Sequence, residues 1–244
     1  MTVRIGITGY AGRMGQAIAH AVRARPEEAA LVGGADIDIA PALREQYGKL
    51  VLTANAAELF PQCDAMIDFS SPSATPEIAR LAAKHGKVLV CGTTGLNDAA
   101  HAALKEAAQK VPLLYATNTS LSLVVMKQLT QFAARLLADQ DYDVAILDRH
   151  HRWKKDAPSG TAKTLGEFVL KGNGGKKEPV YSAIRAGAIV GEHEVIFGGL
   201  GETITLHHSV TDRDVFARGA VQAALWLHGK KPGLYTMDDV LGVG

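Results

Sequence analysis

The chain reads as α/β in its first half and α+β in its second. Three observations predict this. Up to about residue 120, short apolar runs alternate with segments of helical periodicity. Those runs end in glycine-rich or polar turns, as strands do when helices cross back over a parallel sheet. Between Tyr181 and Val210, strand-like runs are instead separated by glycines, as in a mixed or antiparallel sheet.

The elements come in this order. Residues 3–8 are a short apolar run, and residues 30–35 and 65–69 are further strand candidates. After the first strand, Met14, Ala17, Ile18, Ala21 and Val22 recur at helical spacing, and Pro26 lies just past the helix end. An alanine-rich helix is expected over 74–85, a strand over 88–91, a helix over 98–109 and a strand over 113–116. Beyond that come a long helix over 121–137, a strand over 144–147 and a helix over 160–170, with the chain broken at 172–175. Ile204 and Leu206 alternate with Thr203, Thr205 and His207, the pattern of a half-buried strand. Helical spacing returns over 216–228, and this last helix is expected to fold back on the first domain.

Composition excludes several classes. Hydrophobic residues make up 47% and charged residues 21% of 244, with a formal net charge of +1. No global field is available for nucleic acid or an anionic membrane, so anion binding must be local. The start lacks a basic, long-apolar leader and no run is long enough for a bilayer, so the expected address is the cytoplasm. The two cysteines, Cys63 and Cys91, have no metal-ligand spacing and are expected to be buried reduced thiols. No metal site is expected.

The first turn reads Gly9, Tyr10, Ala11, Gly12, Arg13, Met14, Gly15. Glycine permits a tight turn and close approach to a pyrophosphate, and the helix after it points free N–H groups and a positive dipole end at the phosphates. Because the glycines come after a strand and open a helix, they indicate a dinucleotide site. Asp36 ends the second strand, where a carboxylate can accept from ribose hydroxyls. No cation stands beside it (Ile37 comes next), and a carboxylate there repels a 2′-phosphate. NADH is therefore favoured, with NADPH as the alternative. The turns at Gly92, Thr93 and Thr94 and at Ala116, Thr117, Asn118 and Thr119 lie at strand ends, where ligands of open α/β sheets bind.

The second constellation runs from Asp148 to Lys163 and gathers His150, His151, Arg152, Lys154 and Lys155 in one loop. Ser159, Gly160 and Thr161 open the next helix, supplying hydroxyls and backbone donors for a carboxylate or phosphate. This fits a small anionic substrate with imidazole and ammonium groups at hand for proton transfer. A regulatory phosphate site competes with that reading. Arg213, after His207 and His208, is either another anion contact or a partner of Asp212 or Asp214.

Together these strings resemble the dihydrodipicolinate reductase family, also called 4-hydroxy-tetrahydrodipicolinate reductase. The matches are GYAGRMG at 9–15, DFSSP at 68–72, GTTG at 92–95, HHRWKKDAPSGTA at 150–162, RAGAIVGEHEV at 185–195 and the tail from Arg218. The resemblance implies a Rossmann-like dinucleotide-binding domain plus an α+β substrate domain with a mixed open sheet that helps build a homotetramer. The first would take residues 1–120 together with 216–244, and the second, for substrate and oligomerisation, 121–215. It implies reduction of a small dicarboxylate, 4-hydroxy-tetrahydrodipicolinate, to tetrahydrodipicolinate with loss of water, on the diaminopimelate route to lysine. By that resemblance His150 is the proton donor and acceptor and Lys154 the proton donor, while His151, Gly160 and Thr161 bind substrate carboxylates. Gly9 to Met14, Asp36, Gly92 to Thr94 and Ala116 to Thr119 would hold the cofactor. The chain departs from the family pattern at Ile37 and Ser71, where arginine is frequent, and at Ser122, where glycine is usual. Two other functions remain open: an NAD-linked reductase of another small dicarboxylate or imine, and a non-catalytic dinucleotide sensor.

Overall fold

The computed structural model describes residues 1–39 and 50–244. The chain divides into two compact units, one of residues 1–119 and 214–244, the other of residues 120–213.

The first unit is built on a parallel sheet of seven strands: β1 (Val3–Thr8), β2 (Ala29–Ala35), β3 (Val51–Thr53), β4 (Ala65–Asp68), β5 (Val88–Cys91), β6 (Pro112–Tyr115) and β11 (Gly233–Tyr235). Their order is β11-β6-β5-β4-β1-β2-β3, and each neighbouring pair is parallel. The order reverses beside β1, the switch point at which open sheets of this kind leave a crevice. Central strands are buried on both faces, so β5 reads as an uninterrupted apolar run and β4 as an apolar run that ends in Asp68, rather than as alternating strands.

Helices α1 (Arg13–Arg23), α2 (Thr75–His85), α3 (Asp98–Ala108) and α6 (Asp214–Leu227) belong to this unit, with the short α7 (Met237–Val240). Helix α2 stops at Gly86, which takes the left-handed conformation (φ +62°) that glycine adopts without steric cost. Helix α6 packs on α1, and Arg25 Nη1 donates to Gln222 Oε1 at 2.9 Å. The sequence signals miss β3, β11 and α7, all three or four residues long. Such elements are too short to display a period.

The second unit has a mixed four-stranded sheet of β7 (Tyr142–His150), β8 (Val180–Arg185), β9 (Gly191–Gly199) and β10 (Glu202–Val210), in the order β10-β9-β7-β8. Strands β7 and β8 are parallel, and β9 runs antiparallel to both β7 and β10. Helices α4 (Leu121–Leu136) and α5 (Gly160–Asn173) pack on one another, and their core joins Leu123, Met126, Leu165 and Val169 to Val144, Ile146, Val195 and Phe197 of the sheet. Strand β7 extends beyond its apolar stretch at both ends, and at the C-terminal end its buried face continues through Asp148 and His150. The break expected at 172–175 falls later: Gly172 and Asn173 stay in the helix, and Gly174 ends it at φ +67°. Gly172 is held there by close approach, since a Cβ would stand 2.4 Å from Gln131 O on α4.

Candidate active site

In the first unit the ends of β1, β4 and β5 meet at Asp68, which is fully buried. Its Oδ1 accepts from Thr8 Oγ1 at 2.8 Å and from Ser70 N at 3.0 Å, and its Oδ2 from Thr75 Oγ1 at 2.9 Å and Thr93 Oγ1 at 3.2 Å. A buried carboxylate needs such donors. The result is that the DFSSP and GTTG turns share one anchor.

Two neighbouring cavities open along these strand ends, and both are lined by Phe69 and Ser70. One, of about 490 Å³, is lined by Gly9, Gly12, Asp36, Ile37, Asn55, Ser71 and Glu77 among others. The other, of about 380 Å³, is lined by Met14, Gly92, Thr93, Thr94, Ala116, Thr117, Asn118, Thr119 and Phe216 among others. Most of the expected cofactor residues therefore fall on the two walls. Phe69, Asn55, Glu77 and Phe216 were not anticipated, and Phe216 in particular arrives from a helix nearly a hundred residues later, which no local pattern can reveal.

Three of the expected residues, Tyr10, Ala11 and Arg13, line neither cavity. Tyr10 is fully buried, its ring filling the space where a Cβ on Gly34 would stand, 2.1 Å from Tyr10 Cγ. It can offer a ligand only its backbone. The Arg13 side chain is exposed and lines neither cavity. Ala11 contributes through its amide, which donates to Asp36 Oδ2 at 3.0 Å.

A dinucleotide fits this cradle. Gly9 sits at φ +76°, with Phe69 O only 2.4 Å from any Cβ, and a Cβ on Gly15 would lie 2.2 Å from Gly9 O. Gly12 at the N-cap of α1 has no side chain to bond the first turn, and no acidic residue stands there. That helix end is left to receive an anion. Ser70, Ser71 and Asn55 bring hydroxyl and amide groups to the lining of the larger cavity.

Cys91 and Cys63 are not nucleophiles. Burial pushes the Cys91 thiol up to about 12 and the Cys63 thiol up to about 11, and both are free of disulfides.

The second unit carries the polar cluster. Alternation on β7 sets Val144, Ile146, Asp148 and His150 on one face, so its apolar floor turns polar at the C-terminal end. Asp148 pairs with His193 across β9, His193 with His208 across β10, and His150 with Arg185 across β8. Asp148 is fully buried. Its Oδ1 accepts from His150 Nδ1 at 3.0 Å and from Arg185 Nη1, and its Oδ2 accepts from Ser159 N at 2.6 Å. Ser159 is the N-cap of α5: its Oγ accepts from Ala162 N at 3.2 Å and lies 3.2 Å from His193 Nε2.

Burial pushes the Asp148 carboxyl up, but Arg185, the Ser159 amide and His150 outweigh it and hold the group below its ordinary value. Burial lowers the His150 imidazole, Lys154 and Arg185 add to that, and Asp148 opposes. Burial, with His150 next, takes His193 down to about 3, so it is neutral. Burial also lowers His208.

Of the expected substrate residues, His150 is almost covered, and His151, Lys154 and Thr161 are half-buried. Ser159 is buried and Gly160 exposed at the first turn of α5, which has no acidic residue. Lys154 Nζ lies 2.9 Å from Asp156 Oδ1. Arg152 and Lys155 are exposed. Asp148, Arg185 and His193 were missed as site residues. The spacing Asp-x-His in a strand, which puts both side chains on one face, was the available signal. No group of residues suited to hold a metal occurs among the described residues.

A switch-point crevice with an open helix end, beside strand-end cavities of this size, is the architecture of a dinucleotide-binding protein. Comparison with known proteins specifies which. Family models described as "Dihydrodipicolinate reductase, N-terminus" and "Dihydrodipicolinate reductase, C-terminus" match residues 3–119 and 122–241. The 4-hydroxy-tetrahydrodipicolinate reductase of Hahella chejuensis is 40% identical over 98% of this chain and 99% of its own. That of Stenotrophomonas maltophilia is 44% identical over 98% of each. Among solved structures, dipicolinate-bound dihydrodipicolinate reductase from Paenisporosarcina sp. TG-14 shares the fold with a TM-score of 0.80 at 23% identity, covering 97% of this chain and 98% of that one. The chain belongs to the dihydrodipicolinate reductase family, NAD(P)H-dependent oxidoreductases of diaminopimelate and lysine biosynthesis.

Proposed function

We propose that the chain reduces 4-hydroxy-tetrahydrodipicolinate with NADH as its preferred coenzyme, using His150 and Lys154 for proton transfer. The observation that carries this reading is the acid-free first turn of α5, opened by Ser159, Gly160 and Thr161 in the same unit as both proton-transfer candidates. The first-turn N–H groups and the helix dipole favour a carboxylate, and His151 adds a second donor for a dicarboxylate. Bound NADH supplies the hydride. Lys154, as an ammonium, donates a proton to the substrate, and His150 holds or returns one at its ring nitrogen.

The preference for NADH rests on charge. Asp36 and Glu77 both line the larger cavity, and no lysine or arginine is among its described lining residues. Glu77 is paired with Arg80, so the repulsion a 2′-phosphate would meet there comes from Asp36, which has no such partner on the described lining.

We further infer a cytoplasmic homotetramer. Val180 and Ile184 on β8, on the sheet face opposite the core, are exposed at 68% and 43%, an apolar surface of the kind that association covers. Among the described residues no helix is long and apolar enough to cross a membrane.

Steady-state kcat/KM with NADH and with NADPH, on substrate generated in situ from its synthase, tests the reaction and the preference together. Substrate-dependent NADH oxidation with the larger kcat/KM is expected. No oxidation at all would overturn the reaction, and a wide NADPH preference would overturn the Asp36 argument.

A further inference from the structure

We propose that Asp148 is a positioning residue for proton transfer at His150, fixing the imidazole as its Nδ1–H form with Nε2 as the working atom. This rests on the reading of His150 as a proton-transfer group.

The argument is one of donors and acceptors. An ionised carboxylate only accepts hydrogen bonds. Asp148 faces a guanidinium from Arg185, the backbone N–H of Ser159 and His150 Nδ1. The first two can only donate. The third must donate as well if the contact at 3.0 Å is a hydrogen bond, so the ring proton of a neutral His150 sits on Nδ1. Nε2 then carries the free lone pair. The Arg185 guanidinium also holds the carbonyl of Asp156 through Nη2 at 2.7 Å, so the charge partner of Asp148 is itself held in place. A buried carboxylate paired in this way keeps its charge, whereas an unpaired one would not.

The other side of the ring is kept clear. Across the sheet at Gly191, an added Cβ would stand 3.2 Å from His150 Nε2. Glycine leaves the working nitrogen uncovered. His193, edge-on at 5.1 Å between centroids, and His208 behind it are neutral rings held by burial. The charged groups facing His150 are therefore Asp148 on its own strand, Arg185 on β8 and Lys154 on the loop after β7.

One carboxylate also ties the ring to the helix end proposed for the substrate, because Oδ2 holds the amide of the N-cap residue Ser159. An asparagine at 148 would turn an NH2 group toward one of these donors, and either the ring or the cap would lose its acceptor.

The test combines two measurements on the full chain. In the unsubstituted protein, ¹⁵N NMR of the histidine rings should find His150 protonated at Nδ1 when neutral, and a ring protonated at Nε2 would overturn the proposal. This measurement needs no variant, so it decides the matter even if substitution at 148 prevents folding. In kinetics, Asp148→Asn should lower kcat about 10²-fold, the low end of what a positioned acid–base group contributes. It should also move the acidic limb of the pH profile to lower pH, because the carboxylate that favours the imidazolium is gone. Adding Asp148→Asn to His150→Gln should cost nothing further. If His150→Gln is slow but Asp148→Asn keeps its rate and its pH limb, or if the two losses simply multiply, Asp148 is not positioning His150. If His150→Gln itself keeps full kcat, the reading of His150 fails first and the proposal with it.

Discussion

Asp36 Oδ2 accepts the amide hydrogen of Ala11 at 3.0 Å, which ties the end of β2 to the glycine turn at the mouth of the larger cavity. The same carboxylate is the group proposed to receive ribose hydroxyls. Asp36→Ala should therefore loosen the turn and remove the coenzyme contact together. A hydrogen bond to a charged group corresponds to about 10- to 100-fold in affinity, so KM for NADH should rise by that factor. The ratio of kcat/KM for NADH over NADPH should fall. An unchanged ratio in the two-coenzyme assay would remove Asp36 from the specificity argument.

Lys154→Ala should lower kcat by about 10²- to 10⁴-fold, as expected of a positioned proton donor. Its contact with Asp156 is on the surface and contributes little to folding. The thermal midpoint should therefore stay near that of the parent while turnover collapses. Near-normal kcat in a folded variant would rule the role out.

Gly191→Ala tests the space around His150 without touching its partners. A methyl group 3.2 Å from Nε2 must displace the ring or cover it. Turnover should fall about 10-fold, less than the roughly 10²-fold that a misplacement of about 1 Å can bring. Coenzyme affinity, measured by NADH fluorescence titration, should not change.

His193 makes stability depend on pH. Its pKa in the folded chain is about 3 against an ordinary 6.5, so below 6.5 the unfolded chain takes up a proton that the folded one refuses. Stability from this group is complete above pH 6.5 and is lost as the pH falls toward 3, with a slope of at most about 1.4 kcal/mol per pH unit. Urea unfolding between about pH 4 and pH 8 should show a shallower slope in His193→Gln. Identical slopes would mean that the imidazole opens to water before the protein unfolds.

Much of this fold was legible because its logic is local. The glycines at 9, 12 and 15 come after a strand and open a helix, and the runs at 65–69 and 88–91 are apolar except at Asp68 because both faces of a parallel sheet are covered. The cavity walls at Gly92 to Thr94 and Ala116 to Thr119 stem from the strand ends. The features that were not legible depend on pairing between distant segments. Phe216 reaches its cavity wall from α6, and Arg185 reaches Asp148 only because β8 lies parallel to β7 in the register that sets it beside His150. Tyr10 shows the converse. It lies within the glycine motif, yet its ring turns inward because Gly34 leaves it room.

That inward turn makes positions 10 and 34 a matched pair separated by a whole βαβ crossover. Any side chain at 34 would demand a smaller one at 10, so neither site can drift alone. A growth selection for suppressors of Gly34→Ala should recover changes at Tyr10 to small residues ahead of changes at any other buried position.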